Sequence, residues 1–124
     1  MRRFKFVNVC CVFLLSVVIL SLIGADLASA RWINYSFVNR SGRTIKNLYI
    51  SQAGYRYWGD DMLGNSVLSH GSSWSMRYNN TSRYFDIKVV WMDGSSVTWD
   101  NYDFRGMWRL TLRRRGSRYS ISKN

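Results

Sequence analysis

Tyr84–Trp99 reads YFDIKVVWMDGSSVTW, and this stretch decides the fold because it sets both a strand pairing and its register. Phe85, Ile87, Val89 and Trp91 alternate with Tyr84, Asp86, Lys88 and Val90, the period-2 pattern of a strand with one buried face. Asp93-Gly94 then reverses the chain. A two-residue loop would put Val97 and Trp99 on the face of Val90 and Lys88, away from the main apolar row. A three-residue loop of Met92, Asp93 and Gly94, with Gly94 left-handed in a bulge, instead sets Trp91 opposite Ser95, Val89 opposite Val97 and Ile87 opposite Trp99. Burial selects this register, since a slip of one residue turns the whole apolar set to solvent.

Working outward, the other segments alternate in the same way. Ile33, Tyr35 and Phe37 form one strand, and Asn39-Arg40-Ser41-Gly42 is a turn into Thr44–Ser51, where Leu48 and Ile50 share a side; together they read as a first hairpin. Trp74, Met76 and Tyr78 form a third strand. Trp108, Leu110 and Leu112 form a sixth after Asp100-Asn101-Tyr102-Asp103, and arginines on its outer face suggest an edge strand. Tyr119 and Ile121 alternate after Gly116, so the basic tail 113–124 either returns as a seventh strand or stays unstructured. The expected architecture is all-β, a single small antiparallel β-sandwich of six or seven strands, with a small β-barrel as the alternative. WGDDMLG at Trp58–Gly64 breaks the alternation, and Asp60 is placed to cap a single helical turn closed by Gly64.

Met1–Ala30 has the three parts of a secretory signal: basic Arg2, Arg3 and Lys5, an apolar run from Val7 to Gly24, and the small-residue end Ala28-Ser29-Ala30. Cleavage after Ala30 is expected, giving a secreted or periplasmic protein; an uncleaved membrane anchor is the competing reading. Cys10 and Cys11 leave with the signal, so residues 31–124 form one domain without a disulfide or a thiolate metal site. All six Trp and eight Tyr lie in that domain, where large side chains must supply most of the buried area.

The whole chain carries 18 basic and seven acidic side chains; Arg2, Arg3, Lys5 and Asp26 go with the signal, leaving the mature domain at +9. Arginine outnumbers lysine 14 to 4 and Glu is absent, a balance that favours planar, bidentate contact with phosphate or carboxylate. Arg109, Arg113, Arg114, Arg115 and Arg118 concentrate that charge and are the candidate polyanion-binding residues; the competing reading is a solvated terminus.

No reaction is written in the remaining residues. His70 is the single histidine, set in a Ser- and Gly-rich turn between Ser69 and Ser72, without the strand-turn-helix elbow of a nucleophilic serine. Asp60 and Asp61 lack the further spaced oxygens of a Ca²⁺ loop, and no phosphate-cradling Gly motif is present. Paired carboxylates at Asp100 and Asp103 are the one hydrolytic arrangement to weigh. The expectation is a non-catalytic domain without metal or cofactor. Its first-choice partner is an unknown protein of the cell envelope or exterior. The alternative is cationic binding of nucleic acid, lipopolysaccharide or acidic polysaccharide, and a weak hydrolase comes last.

Residues Phe37–Leu112 resemble a family of short exported bacterial proteins with no established biochemical role. The resemblance is carried by FVNRSGRTIKNLYIS at Phe37–Ser51, WGDDMLG at Trp58–Gly64, the Asp86–Val89 run with Asp93-Gly94, and Trp99. It implies a cysteine pair at the positions held here by Arg83 and Arg105, replaced together, with loss of about 2–4 kcal/mol of crosslink stabilisation. Some similar chains bear the label argininosuccinate lyase, which an exported all-β domain of this length cannot support. No catalytic residue is carried over.

Overall fold

The computed structural model describes residues 31–79 and 81–124; the segment expected to be a secretory signal lies outside the described residues. Seven strands follow in order: β1 (Trp32–Arg40), β2 (Ile45–Gln52), β3 (Ser73–Asn79), β4 (Tyr84–Trp91), β5 (Ser96–Asp103), β6 (Arg109–Arg115) and β7 (Arg118–Lys123). They form a small β-sandwich, with a four-stranded sheet in the order β3-β1-β6-β7 and a three-stranded sheet in the order β2-β4-β5. Among the described residues there is no helix long and apolar enough to cross a membrane.

The central hairpin has the register that burial demands. Ile87 pairs with Trp99 and Val89 with Val97. The Trp91 N–H donates to the Ser95 carbonyl at 2.8 Å, and Gly94 takes φ +85°, the left-handed conformation this bulged turn requires. Tyr35, Phe37, Leu110 and Leu112 from one sheet bury with Leu48, Ile50, Ile87 and Val89 from the other. Each such side chain contributes about 1.5–3 kcal/mol on full burial.

Three expectations need correction. The segments expected to pair as a first hairpin, β1 and β2, lie in different sheets, so the turn at Asn39–Gly42 is a corner that carries the chain across the core. Alternation cannot distinguish the two cases, because a hairpin and a corner bury the same residues. Asn39 holds the corner: its Nδ2 donates to the Arg43 and Leu68 carbonyls at 2.7 and 2.8 Å, and its Oδ1 accepts from the Ser41 N–H and hydroxyl. Second, β6 is an interior strand, and it runs parallel to β1 while pairing antiparallel with β7. Its arginines stand perpendicular to the hydrogen-bond ladder and so do not mark an edge. The basic segment from Arg113 is therefore an ordered hairpin.

Third, Asp61 and not Asp60 organises the Trp58–Gly64 segment, which is a series of turns and not a helical turn. Its carboxylate accepts from the Leu48 and Leu63 N–H groups and from Asn47 Nδ2, all within 2.8–3.0 Å, pinning the loop to the edge of β2. Asp100–Asp103 continues β5 through a bulge in which Asn101 adopts φ +54° and its N–H is taken by Asp86 Oδ1 at 2.9 Å. That extra residue returns Tyr102 to the buried side opposite Phe85.

Both ends of β7 are fastened to the three-stranded sheet. Tyr119 packs on Trp91 with ring centres 4.8 Å apart, while the Tyr102 hydroxyl donates to the Ile121 carbonyl at 3.2 Å. Lys123 Nζ donates to the carbonyls of Asp103 and Arg105. Phe104 plugs this end, stacked on Phe85 at 4.5 Å with Tyr78 against its edge at 5.3 Å. The Tyr78 hydroxyl donates to the Phe104 carbonyl at 3.0 Å, and burial first, then the Asp103 charge, raises its pKa above the usual phenol value. Arg83 and Arg105, the positions that the resemblance assigns to a cysteine pair, both reach Asp103 Oδ2, at 3.0 and 3.9 Å.

Candidate functional site

Alternation gives the four-stranded sheet an outward face, and on it six exposed arginines converge: Arg40, Arg77, Arg109, Arg113, Arg115 and Arg118. Registers place them as neighbours. Arg40 is directly opposite Arg113 across the parallel β1–β6 pair, and Arg115 is directly opposite Arg118 across the β6–β7 hairpin. Every Asp of residues 31–124 sits in the three-stranded sheet or its loops. The salt bridges of the described residues correspondingly use Arg43, Arg83, Arg105 and Lys123, none of them on this face's arginine set.

Four of the five arginines singled out in the sequence come together here, and Arg114 does not. Its side chain lies on the opposite side of β6, where the guanidinium covers the Tyr119 ring at 5.6 Å and Nε donates to the Gly116 carbonyl at 2.6 Å. Beyond Tyr119 and Trp91 lies Arg43, 4.7 Å from the Trp91 ring centre and bonded to Asp93 at 2.8 Å, so this end of the sandwich is a packed stack. Arg40 and Arg77 were missed by sequence reasoning. Each occupies the outward phase of its own strand, but their neighbours come from segments far along the chain, and no local signal reports a parallel β1–β6 pair.

Between the arginines the face carries mostly hydroxyls and amides, with Val38 among them. Two open grooves cross it, one over each half of β1. One, of about 500 Å³, is bounded by Arg40, Ser73, Arg109, Thr111 and Arg113. The other, of about 710 Å³, has Asn34 and Ser36 as its floor, Ser75 and Arg77 on β3 as one wall and Trp108 as the other. Arg109 stacks on Trp108 at 4.6 Å and Arg77 on Trp32 at 5.0 Å, two exposed cation–π pairs of about 0.5–1 kcal/mol each. Arg113 is also oriented, its Nη1 donating to Ser122 Oγ at 2.8 Å.

The remaining candidates have structural partners. His70 Nδ1 accepts the Gly42 N–H at 2.9 Å, bracing the corner, and the Ser72 carbonyl accepts the Asn39 N–H at 3.0 Å. Asp103 is held ionised, its pKa lowered to about 2 chiefly by the hydrogen bond from Arg83. A carboxylate so held is no proton donor at neutral pH. Among the described residues no group of three or more His, Cys, Asp or Glu side chains is placed to hold a metal ion. No match to this chain is found among protein families, curated proteins or solved structures.

Proposed function

We propose that this chain is an exported, non-catalytic binding domain whose four-stranded sheet receives an anionic polymer across β1, β6 and β7. One observation carries the reading. Two arginine pairs, Arg40 with Arg113 and Arg115 with Arg118, stand directly opposite one another on a face without an acidic side chain. Like charges so placed destabilise a sheet. A folded domain that keeps them is supported best as a surface made for repeated negative charge, with planar guanidinium groups suited to carboxylate, sulfate or phosphate.

The test is the salt dependence of binding by the mature chain. Affinity for a polyanion falls steeply as salt rises, and replacing Arg113, Arg115 and Arg118 together by Ser lowers both the affinity and the slope, by about 0.7–0.9 unit per lost phosphate contact. An unchanged slope in that variant removes this face from the reading.

A protein partner is the second reading, favoured by the loop between β2 and β3. Tyr55 and Tyr57 are exposed there together with Met62 and Val67, an apolar group outside the arginine face. Capture through this loop would persist at high salt and be lost on changing Tyr55 and Tyr57 to Ser.

A further inference from the structure

We propose that the groove beside Trp108 is a sugar subsite, so that the polymer taken by this face is an acidic polysaccharide bearing carboxylate or sulfate groups. The inference rests on the polyanion reading and names its ligand.

The chemistry of the groove selects among polyanions. Its floor and far wall present Asn34, Ser36 and Ser75 beside one guanidinium, Arg77, with Tyr35 and Met76 also in the lining. Hydroxyl and amide side chains both donate and accept hydrogen bonds. A phosphodiester backbone offers acceptors alone and would leave their lone pairs idle, whereas a sugar ring has hydroxyls that match groups of both kinds. Exposed hydroxyls continue along the sheet in Ser73, Ser120 and Ser122, with Val38 and the buried Thr111 beside them.

The aromatic groups point the same way. Trp108 is 54 % exposed and walls the groove, with the Arg109 guanidinium stacked on its ring. A single indole over a polar floor suits the apolar C–H face of one pyranose. Single-stranded nucleic acid is held instead by successive aromatic platforms under successive bases. The other tryptophan of this face, Trp32, is stacked with Arg77, and the rest of the face carries no further ring. From Ser36 to Arg40 the β1 strand advances about 13 Å, so a polymer seated by one sugar at Trp108 runs on to the charge pair of Arg40 and Arg113.

The experiment compares four probes by calorimetric titration of the mature chain: an oligouronate, a sulfated oligosaccharide, a neutral oligoglucoside, and oligothymidylate of matched charge. The acidic sugars bind more tightly than oligothymidylate. Trp108→Ala lowers oligouronate affinity by about threefold to tenfold with the salt slope unchanged, Trp108→Phe retains most of it, and Ser36→Val, which fills the floor from within an intact strand, repeats the loss. Melting temperature verifies that each variant is folded. Oligothymidylate binding more tightly than the acidic sugars, or oligouronate affinity indifferent to both Trp108→Ala and Ser36→Val, overturns the sugar subsite and leaves the polyanion reading standing. No binding of any charged probe overturns both.

Discussion

Arg115 on β6 stands directly opposite Arg118 on β7, with Gly116 and Ser117 alone between them. Two guanidinium groups therefore share one outward patch at the tip of a hairpin, and no acidic side chain of that sheet relieves them. Replacing one by an acid converts repulsion to attraction. Arg118→Glu is expected to stabilise the domain by about 0.2–1 kcal/mol, raising the melting temperature by roughly 1–8 °C for a domain of this size. Thermal denaturation checks the gain, and polyanion titration of the same variant should show weaker binding. A fall in melting temperature would mean the pair carries no repulsion.

Arg113 and Arg114 adjoin in the chain and lie on opposite sides of β6. Arg113→Ser should lower the salt slope of polyanion binding by about 0.7–0.9 unit while hardly moving stability. Arg114→Ser should leave the slope unchanged and lower stability by about 0.5–1 kcal/mol through loss of its stack on Tyr119. Equal slopes in the two variants would show that the binding surface does not follow the alternation of β6.

That division marks how far the sequence could be read. The Tyr84–Trp99 hairpin was legible to the residue because its turn and its apolar alternation admit one register. The charged half of the candidate site was legible in the same way, since Arg109, Arg113 and Arg115 share a phase in one strand. Arg40 and Arg77 were not, because a side chain's phase states which face it occupies and not which strand lies alongside. The exclusion of Arg114 follows from alternation that the run of three arginines disguised. Nor could the corner at Asn39 be told from a hairpin turn, since its defining bonds run to the Leu68 carbonyl, far along the chain.

Asp103 makes stability fall in acid. Its carboxyl is lowered from the ordinary 3.8 to about 2, first by the hydrogen bond from Arg83 and then by the Arg105 N–H, with Lys123 adding its charge. A carboxyl lowered on folding contributes stability that is fully present above its unfolded value and is lost as pH falls through the folded one. The melting temperature should accordingly decline between pH 4 and 2. Asp93, lowered by its bonds from Ser95 and then by Arg43, contributes in the same direction. Asp103→Asn should melt lower than the parent at neutral pH and show a shallower decline in acid. An identical decline would assign the acid sensitivity elsewhere.

Asn39 offers the opposite sign. It is fully buried at the corner between the sheets, with both amide hydrogens spent on the carbonyls of Arg43 and Leu68 and its oxygen on the Ser41 N–H and hydroxyl. Asn39→Asp keeps the shape and the Ser41 bonds but turns a carboxylate oxygen toward two carbonyl oxygens and takes one donor from each; the Leu68 carbonyl keeps the Ile45 N–H at 2.9 Å and the Arg43 carbonyl has the Ser41 hydroxyl at 3.1 Å, so the loss is about 1–3 kcal/mol in all. Burial and those carbonyls disfavour the ionised form, so the folded pKa of the new carboxyl lies above its unfolded value. Stability that depends on a raised pKa is present below the unfolded value and is lost as pH rises through the folded one. The deficit of Asn39→Asp relative to the parent should hence be largest at neutral pH and shrink as the solution is acidified toward pH 4, above the range in which Asp103 begins to protonate. Asn39→Ala removes the same two donors without adding an ionisable group, and its deficit should be flat over that interval. Chemical denaturation of the three proteins across pH separates the cases: a deficit for Asn39→Asp that is constant with pH would mean the amide hydrogens do not hold the corner in the way their short bonds to Arg43 and Leu68 require.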